Sequence, residues 1–146
     1  MIDSHEAGTR GFTLLELLIV ISVVITLMGL ALPQMITNRK SANEISAIAS
    51  LRRISSAEEV FHVRANPPRF GALEELRDAG LLDPLVAAGA KGGYTFHAAA
   101  APSSSEYAFV AAPDGAAGDR RYYVDQTGVI RCESGVDATA SSPPLK

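Results

Sequence analysis

The sequence is poor in cysteine, since only Cys132 occurs among its 146 residues. A single cysteine cannot form a disulfide within one chain, so the fold must be held by packing and hydrogen bonds. The three histidines, His5, His62 and His97, show no metal-ligand spacing with one another or with Cys132. The sequence therefore predicts neither a disulfide framework nor a zinc site.

The chain also has no large excess of positive or negative residues. The net charge is -3 at pH 7, and the chain after residue 36 holds 12 Lys and Arg against 13 Asp and Glu. We therefore expect no nucleic-acid partner. Six arginines are candidates for a DNA-binding strip. We expect them instead to be solvated or paired with Glu58, Glu59, Asp119 and similar acids. They are Arg52, Arg53, Arg64, Arg69, Arg120 and Arg121.

Patterns that support catalysis are not evident. Ser103 and Ser105 lie in a predicted loop without a neighbouring His and Asp pattern, which argues against a nucleophile. The glycines of residues 89–93 lack the spacing of a phosphate-binding loop. We therefore predict that the protein is not an enzyme and that it uses no cofactor.

What the sequence does have is a long apolar run at residues 12–36, in which Glu16 is the single charged side chain. As a helix, 25 residues would span about 37 Å, enough to cross a bilayer. A charged side chain at the bilayer centre costs roughly 2.5 to 3.5 kcal/mol on insertion scales. No Lys, Arg or His lies between Phe12 and Thr37, so a partner for Glu16 must come from elsewhere.

The string Gly-Phe-Thr-Leu-Leu-Glu at residues 11–16, followed by the apolar run, resembles the N-terminal signature of type IV pilins and pseudopilins. The resemblance implies that a prepilin peptidase cuts between Gly11 and Phe12 and that the new Phe12 amine is methylated. It also implies that Glu16 pairs with the Phe12 amine of a neighbouring subunit during assembly. A methylated amine keeps its positive charge, so this pairing would offset the burial of both ions.

The family resemblance divides the chain into a leader at 1–11, a transmembrane helix at 12–36 and a head outside the cytoplasm. Arg39 and Lys40 follow the apolar run, and the positive-inside rule alone would place that side in the cytoplasm. We follow the resemblance, because its motif is long and ordered while the charge difference is small. The predicted location is the bacterial inner membrane, as a single-pass precursor, and then an extracellular or periplasmic filament.

Within the apolar run, Pro33 removes a helix hydrogen-bond donor, and its ring collides with the carbonyl of Gly29. A proline at this place resembles the kink of pilins. We therefore predict that residues 29–33 are where the helix loses order as subunits pack. The alternative is an ordinary proline bend in a membrane helix.

Residues 37–65 are predicted to continue the helix as an amphipathic segment, because residues 38–65 lack Pro and Gly. The helix should end at the prolines of residues 66–68. One face, at Ala47, Leu51, Ile54, Ala57 and Phe61, is predicted to pack on the head. The opposite face carries Ile45, Ile48, Val60 and Val63, which we predict to pack against other helices of a filament. The alternative is scattered surface apolar residues.

Residues 66–137 are predicted to form a small head. Short helices are expected at 72–79 and after Asp83, closed by Gly80 and Gly89. Strands are expected at 94–100, 106–112, 121–125 and 129–133, with a hairpin at 125–128 and Cys132 buried. Residues 138–146 are expected to form a flexible tail.

The predicted fold class is therefore α+β, with a long N-terminal helix packed on a small antiparallel sheet. The predicted function is a structural pilin that polymerises into a type IV pilus or pilus-like filament. The alternatives are a pseudopilin of a type II secretion system and a minor pilin or adhesin for DNA uptake. The implied partners are further copies of the chain, other pilins, the prepilin peptidase and methyltransferase, an inner-membrane assembly platform and membrane lipid.

The family resemblance raises the question of whether the head binds calcium. Major pseudopilins of type II secretion hold calcium in a C-terminal loop, and Asp114, Asp119 and Asp125 are the acids available near such a loop. Their spacing is loose, and the longer loop rich in Gly and Asp is missing. We therefore expect these three side chains to be solvated turn residues and predict no metal.

Overall fold

The computed structural model describes residues 11–145, without the side chains of residues 30–33. These residues fall into two compact units, one ending at Thr37 and the other beginning at Asn38. The first element is helix α1, Leu14–Arg64, which is 51 residues long. It ends just before the prolines at positions 67 and 68, as the sequence predicts, because proline cannot donate the next helical hydrogen bond.

Two short helices connect α1 to the sheet. Helix α2 is Leu73–Asp78 and helix α3 is Pro84–Ala87. Asp83 caps α3, because its carboxylate accepts a hydrogen bond from the Leu85 backbone N–H at 2.8 Å. Both helices are followed by a glycine with positive φ, at positions 80 and 89. The predicted connector helices and their caps are confirmed.

The sheet of the head has five antiparallel strands in the order β1-β2-β3-β4-β5. The strands are Ala90–Lys91 (β1), Tyr94–Ala100 (β2), Ala108–Pro113 (β3), Arg120–Asp125 (β4) and Arg131–Ser134 (β5). The sequence predicted β2 to β5 but not β1, which is too short to show alternation. Strand β3 begins later than predicted because the Ser103 side chain accepts a hydrogen bond from the Glu106 N–H and forms a turn there.

The hairpin between β4 and β5 has the predicted turn. The Gly128 N–H donates to the Asp125 carbonyl at 2.8 Å, and Gly128 has a φ of 70°. That conformation favours glycine, which explains the residue at this position. Cys132, predicted to be buried, is half-buried and packs against the core.

The core lies between the second half of α1 and one face of the sheet. The predicted helix stripe is confirmed, since Ala47, Leu51, Ile54 and Ala57 are buried and Phe61 packs against them. The sheet and the residue before β3 contribute several large core side chains and a small one. These are Tyr94, Phe96, Tyr107, Phe109, Ala111, Tyr122 and Val124. The architecture is thus α+β, as expected.

The last residues of the described chain differ from the flexible tail expected from their composition. Leu145 N–H donates to the Ile130 carbonyl at 2.8 Å, and Cys132 N–H donates to the Pro143 carbonyl at 3.1 Å. Ala138 and Ser142 are buried. Pro143 has no N–H donor, but its carbonyl accepts the hydrogen bond from the edge strand β5, so this segment is ordered by tertiary contacts.

Candidate assembly site

The N-terminus of α1 is capped by Thr13. Its hydroxyl oxygen accepts a hydrogen bond from the Glu16 backbone N–H at 3.1 Å, and its carbonyl accepts one from Leu17 N–H. Glu16 therefore lies in the first helical turn, where a negative charge interacts favourably with the helix dipole. The Thr-Leu-Leu-Glu spacing is that of a capping box, so the same residues that carry the family resemblance also begin the helix.

The residues of the predicted cleavage and pairing site are accessible. Phe12 is 74% exposed, and a side chain at Gly11 would meet no atom within 4 Å. Across residues 11–145, no ion-pair partner approaches the Glu16 carboxylate. A cation for Glu16 therefore has to come from outside this part of the chain. The predicted pairing with Phe12 of another subunit remains a prediction.

The apolar half of α1 is long and apolar enough to cross a membrane. Its two hydroxyl groups are satisfied within the helix, since Ser22 donates to the Leu18 carbonyl at 2.7 Å and Thr26 donates to the Ser22 carbonyl at 2.8 Å. Such internal hydrogen bonds let polar side chains lie in hydrocarbon. Gly29 and Pro33 both lie within α1. The predicted loss of helical order between them remains a prediction.

The four residues predicted to contact other helices do not share one environment. Ile45 is 67% exposed and Val63 is 82% exposed, while Val60 is partly shielded. Ile48, by contrast, packs partly against the core of the head. Three of the four residues are therefore available for contact with another molecule, and Ile48 contributes to the subunit's own fold.

Glu58, which was predicted as a possible ion-pair partner for the arginines, is a buried acid. Its side chain is 0% exposed, and one carboxylate oxygen accepts a hydrogen bond from the Gly71 N–H at 2.9 Å. The other oxygen has no hydrogen-bond partner. Burial raises the pKa of Glu58 to about 7. The helical spacing did indicate this burial, because Glu58 lies four residues after the buried Ile54 and therefore on the same face of α1.

Three of the six arginines considered for a DNA-binding strip form ion pairs with acids of the chain, as expected, although not with the three acids named in the prediction. Arg69 binds Glu75 through two hydrogen bonds of 2.6 and 3.0 Å, which lowers the pKa of Glu75 to about 2. Arg120 pairs with Glu44 at 3.4 Å, and Arg121 pairs with an aspartate at 3.0 Å. Arg69, Arg120 and Arg121 therefore belong to three separate ion pairs.

The three aspartates considered for calcium do not form a common site. Asp125 is buried and accepts hydrogen bonds from the backbone and hydroxyl of Thr127 at 2.9 and 2.5 Å. Asp119 pairs with Lys40 at 2.6 Å. Within residues 11–145 no three His, Cys, Asp or Glu side chains converge as metal ligands. Calcium takes six to eight oxygen ligands, so these residues do not fit a calcium ion.

The similarity of this chain to a known protein covers more than the N-terminal string at residues 11–16. No family model matches the chain. Over 103 residues the chain is 31% identical to type II secretion system core protein G of Escherichia coli (strain K12), covering 69% of this chain and 71% of that protein. Helix α1 ends at residue 64, so the matched residues must extend into the head. The chain belongs to the type IV pilin and pseudopilin family.

Membership of the pilin and pseudopilin family confirms the resemblance carried by residues 11–16. In a chain of this family, the exposed apolar half of α1 is consistent with an inner-membrane anchor. The head of this pseudopilin-like chain contains three features that the N-terminal string does not predict: the buried Glu58, the ordered C-terminal segment and the ion pairs of the β3–β4 loop.

Proposed function

We propose that this protein is a structural subunit of a pilus-like filament in a type II secretion system. The observation that carries the proposal is the 31% identity to a type II secretion core protein over 103 residues, including part of the head. This favours the pseudopilin alternative over a subunit of a long surface pilus. The fold supports a structural role, because it joins an exposed apolar helix to a small packed head.

The proposed path to the filament follows from the site at the start of α1. The prepilin peptidase cleaves between Gly11 and Phe12, and the methyltransferase modifies the new amine. The subunit stays in the inner membrane with its head on the periplasmic side until the assembly platform adds it to the filament. Glu16 then pairs with the Phe12 amine of a neighbouring copy, where each charge offsets the burial of the other.

Within the filament, the exposed apolar residues of α1 provide the contact surface. Side chains from Leu14 to Met28, and those of Met35 and Ile36, leave the lipid and pack against the same helix of other subunits, including other pilins. Ile45, Val60 and Val63 extend this surface beyond the membrane segment. Polymerisation through these surfaces needs no chemistry from the subunit itself.

Deletion of the gene in the native bacterium distinguishes the candidate filaments. The expected result is that proteins destined for the medium accumulate in the periplasm, while long surface fibres seen by electron microscopy are unchanged. Complementation with the wild-type chain should restore secretion. Normal secretion combined with loss of surface fibres would instead assign the chain to a type IV pilus.

The minor pilin or adhesin for DNA uptake is tested in the same strains. Transformation frequency should be unchanged by the deletion, because Arg69, Arg120 and Arg121 are paired with acids of the same chain. Loss of transformation with normal secretion would favour the uptake function.

A further inference from the structure

The loop between β3 and β4, residues 114–119, is held against the beginning of the head's part of α1. Asn43 donates a side-chain hydrogen bond to the Ala117 carbonyl at 3.0 Å. The Asp119 backbone N–H donates to the Glu44 carboxylate at 3.1 Å. On the sheet side, Asp114 N–H donates to the Gly93 carbonyl at 2.8 Å. The loop therefore bridges α1 and the β1–β2 turn.

Two cations of the chain complete this arrangement. The Lys40 ammonium lies 2.6 Å from an Asp119 carboxylate oxygen, and the Arg120 guanidinium lies 3.4 Å from a Glu44 carboxylate oxygen. Glu44 is nearly buried, with its side chain 12% exposed. Its carboxylate thus receives both an N–H and a guanidinium, so the negative charges of Glu44 and Asp119 are compensated within the subunit.

Residues 117–118 of this loop pack closely against the chain, while the loop tip at Gly115 is open. A side chain at Gly93 would place its Cβ 2.7 Å from the Ala117 methyl group. A side chain at Gly118 would collide with the Tyr94 hydroxyl, which donates to the Arg120 carbonyl at 2.9 Å. The two glycines therefore permit a backbone approach that larger residues would prevent.

Several oxygens where the loop meets α1 are already engaged by protein donors, although Asp119 is 70% exposed and, among the described residues, only its Oδ1 is paired. The Ala117 carbonyl accepts from Asn43, and the carboxylates of Glu44 and Asp119 face cations. Calcium requires six or more oxygen ligands. We propose that the β3–β4 loop is held on α1 by the chain's own cations, Lys40 and Arg120, so that the folded subunit does not depend on a divalent cation. This inference concerns the folded subunit and does not rest on the proposed function.

The first test compares the unfolding of the full chain, purified in detergent, with excess calcium chloride and with excess EDTA. Near-UV circular dichroism reports the packing of Tyr94 and Tyr122, which are buried beside the loop. A calcium site filled at about one hundred times its Kd would raise the unfolding midpoint by roughly 10 to 20 °C. We expect the same midpoint in both conditions. A higher midpoint in calcium overturns the proposal.

The second test exchanges the charges of the Lys40–Asp119 pair. Lys40→Glu and Asp119→Lys each place like charges together, so we expect hydrogen exchange at the Asp119 amide to become roughly 2- to 5-fold faster. The double variant restores an opposite pair, and its exchange should return toward the wild-type rate. Unchanged exchange in both single variants, or no recovery in the double variant, overturns the proposal.

A matched control is available in α2, where Arg77 and Asp78 form an exposed ion pair at 2.8 Å. Asp78→Lys reverses a charge of that pair and should leave exchange at the Asp119 amide unchanged. The calcium comparison needs no substitution, so it decides the proposal even if a charge variant fails to fold.

Discussion

The carboxylate of Glu58 on α1 accepts a hydrogen bond from the Gly71 backbone N–H, with 2.9 Å between the nitrogen and Oε2. This contact joins α1 to the segment that enters α2. Glu58 itself is fully buried, and the charged groups that influence it are Glu75 and Arg69. The Tyr107 hydroxyl, which hydrogen-bonds Ser55 at 2.9 Å, lies on the sheet side of the same region.

The pH dependence of stability should reflect Glu58. Its pKa is about 7 in the folded protein against an ordinary 4.5, because burial disfavours the charged form. Between these values the folded state binds more protons than the unfolded state, so stability falls as pH rises through that window. The loss is on the order of 3 kcal/mol and is complete above about pH 7.

Glu58→Gln tests this interpretation, because glutamine keeps an acceptor for Gly71 and cannot ionise. The variant should be more stable than wild type by roughly 1 to 3 kcal/mol at about pH 8 and nearly equal at about pH 5. Urea unfolding at both pH values measures the difference. Glu59→Gln, on an exposed neighbour, should not alter the pH dependence. The prediction would be contradicted if the wild type became more stable relative to Glu58→Gln between about pH 5 and about pH 8.

The ordered C-terminal segment should contribute to the stability of the head. Truncation after Asp137 removes the buried Ala138, the packing of Leu145 against the core and its backbone hydrogen bond to Ile130. We expect the free energy of unfolding to fall by roughly 1.5 to 3 kcal/mol, the value of one large buried apolar side chain. Val136→Ser, at a 59% exposed position, is the control. Equal urea midpoints for the truncated and intact chains would show that the segment does not stabilise the head.

The exposed apolar residues on the outer face of α1 should affect assembly more than folding. Val63→Lys and Ile45→Lys replace side chains that are 82% and 67% exposed, so the free energy of unfolding should change by about 0.5 kcal/mol or less. Secretion and the yield of sheared filaments should fall, because a lysine cannot be buried between helices without a partner. Glu59→Lys serves as a control for added positive charge. Normal filament yield in both variants would exclude these residues from the contact surface.

Glu16 should be needed for assembly and not for leader cleavage. Glu16→Ala removes the carboxylate proposed to pair with the Phe12 amine, while Gly11 is unchanged. The processed chain should therefore appear at its normal size on a gel, and filament yield or N-methylation, followed by mass spectrometry, should fall. Glu16→Gln keeps the side chain's shape without its charge and should also be defective. Normal assembly of Glu16→Gln would show that the charge is not required.

Several parts of the fold followed from short stretches of sequence. The end of α1 was predicted from the prolines after residue 66, and the β4–β5 turn from the polar residues ending in Gly128, because each depends on local backbone chemistry. The stripe from Ala47 to Ala57 was predicted from helical spacing. Strand β1 was missed because two residues show no alternation, and its pairing is defined by its neighbour β2.

The environments of individual polar residues were harder to predict. Glu58 was expected to pair with an arginine, although its spacing from Ile54 indicated the buried face of the helix. The pairing of Lys40 with Asp119 joins residues 79 positions apart, and no local pattern relates them. Ile48 was grouped with exposed residues, while the structure packs it partly against the core.

The sequence by itself determined an apolar segment long enough to cross a membrane, the capping spacing at residues 13–16 and the boundaries of the main helix, because these depend on contiguous residues and on backbone chemistry. Only the tertiary structure decided that Glu58 is buried, that the C-terminal segment pairs with β5 and that Lys40 and Arg120 neutralise the acids at the β3–β4 loop. Those features depend on contacts between distant residues, which form only when the sheet packs against α1.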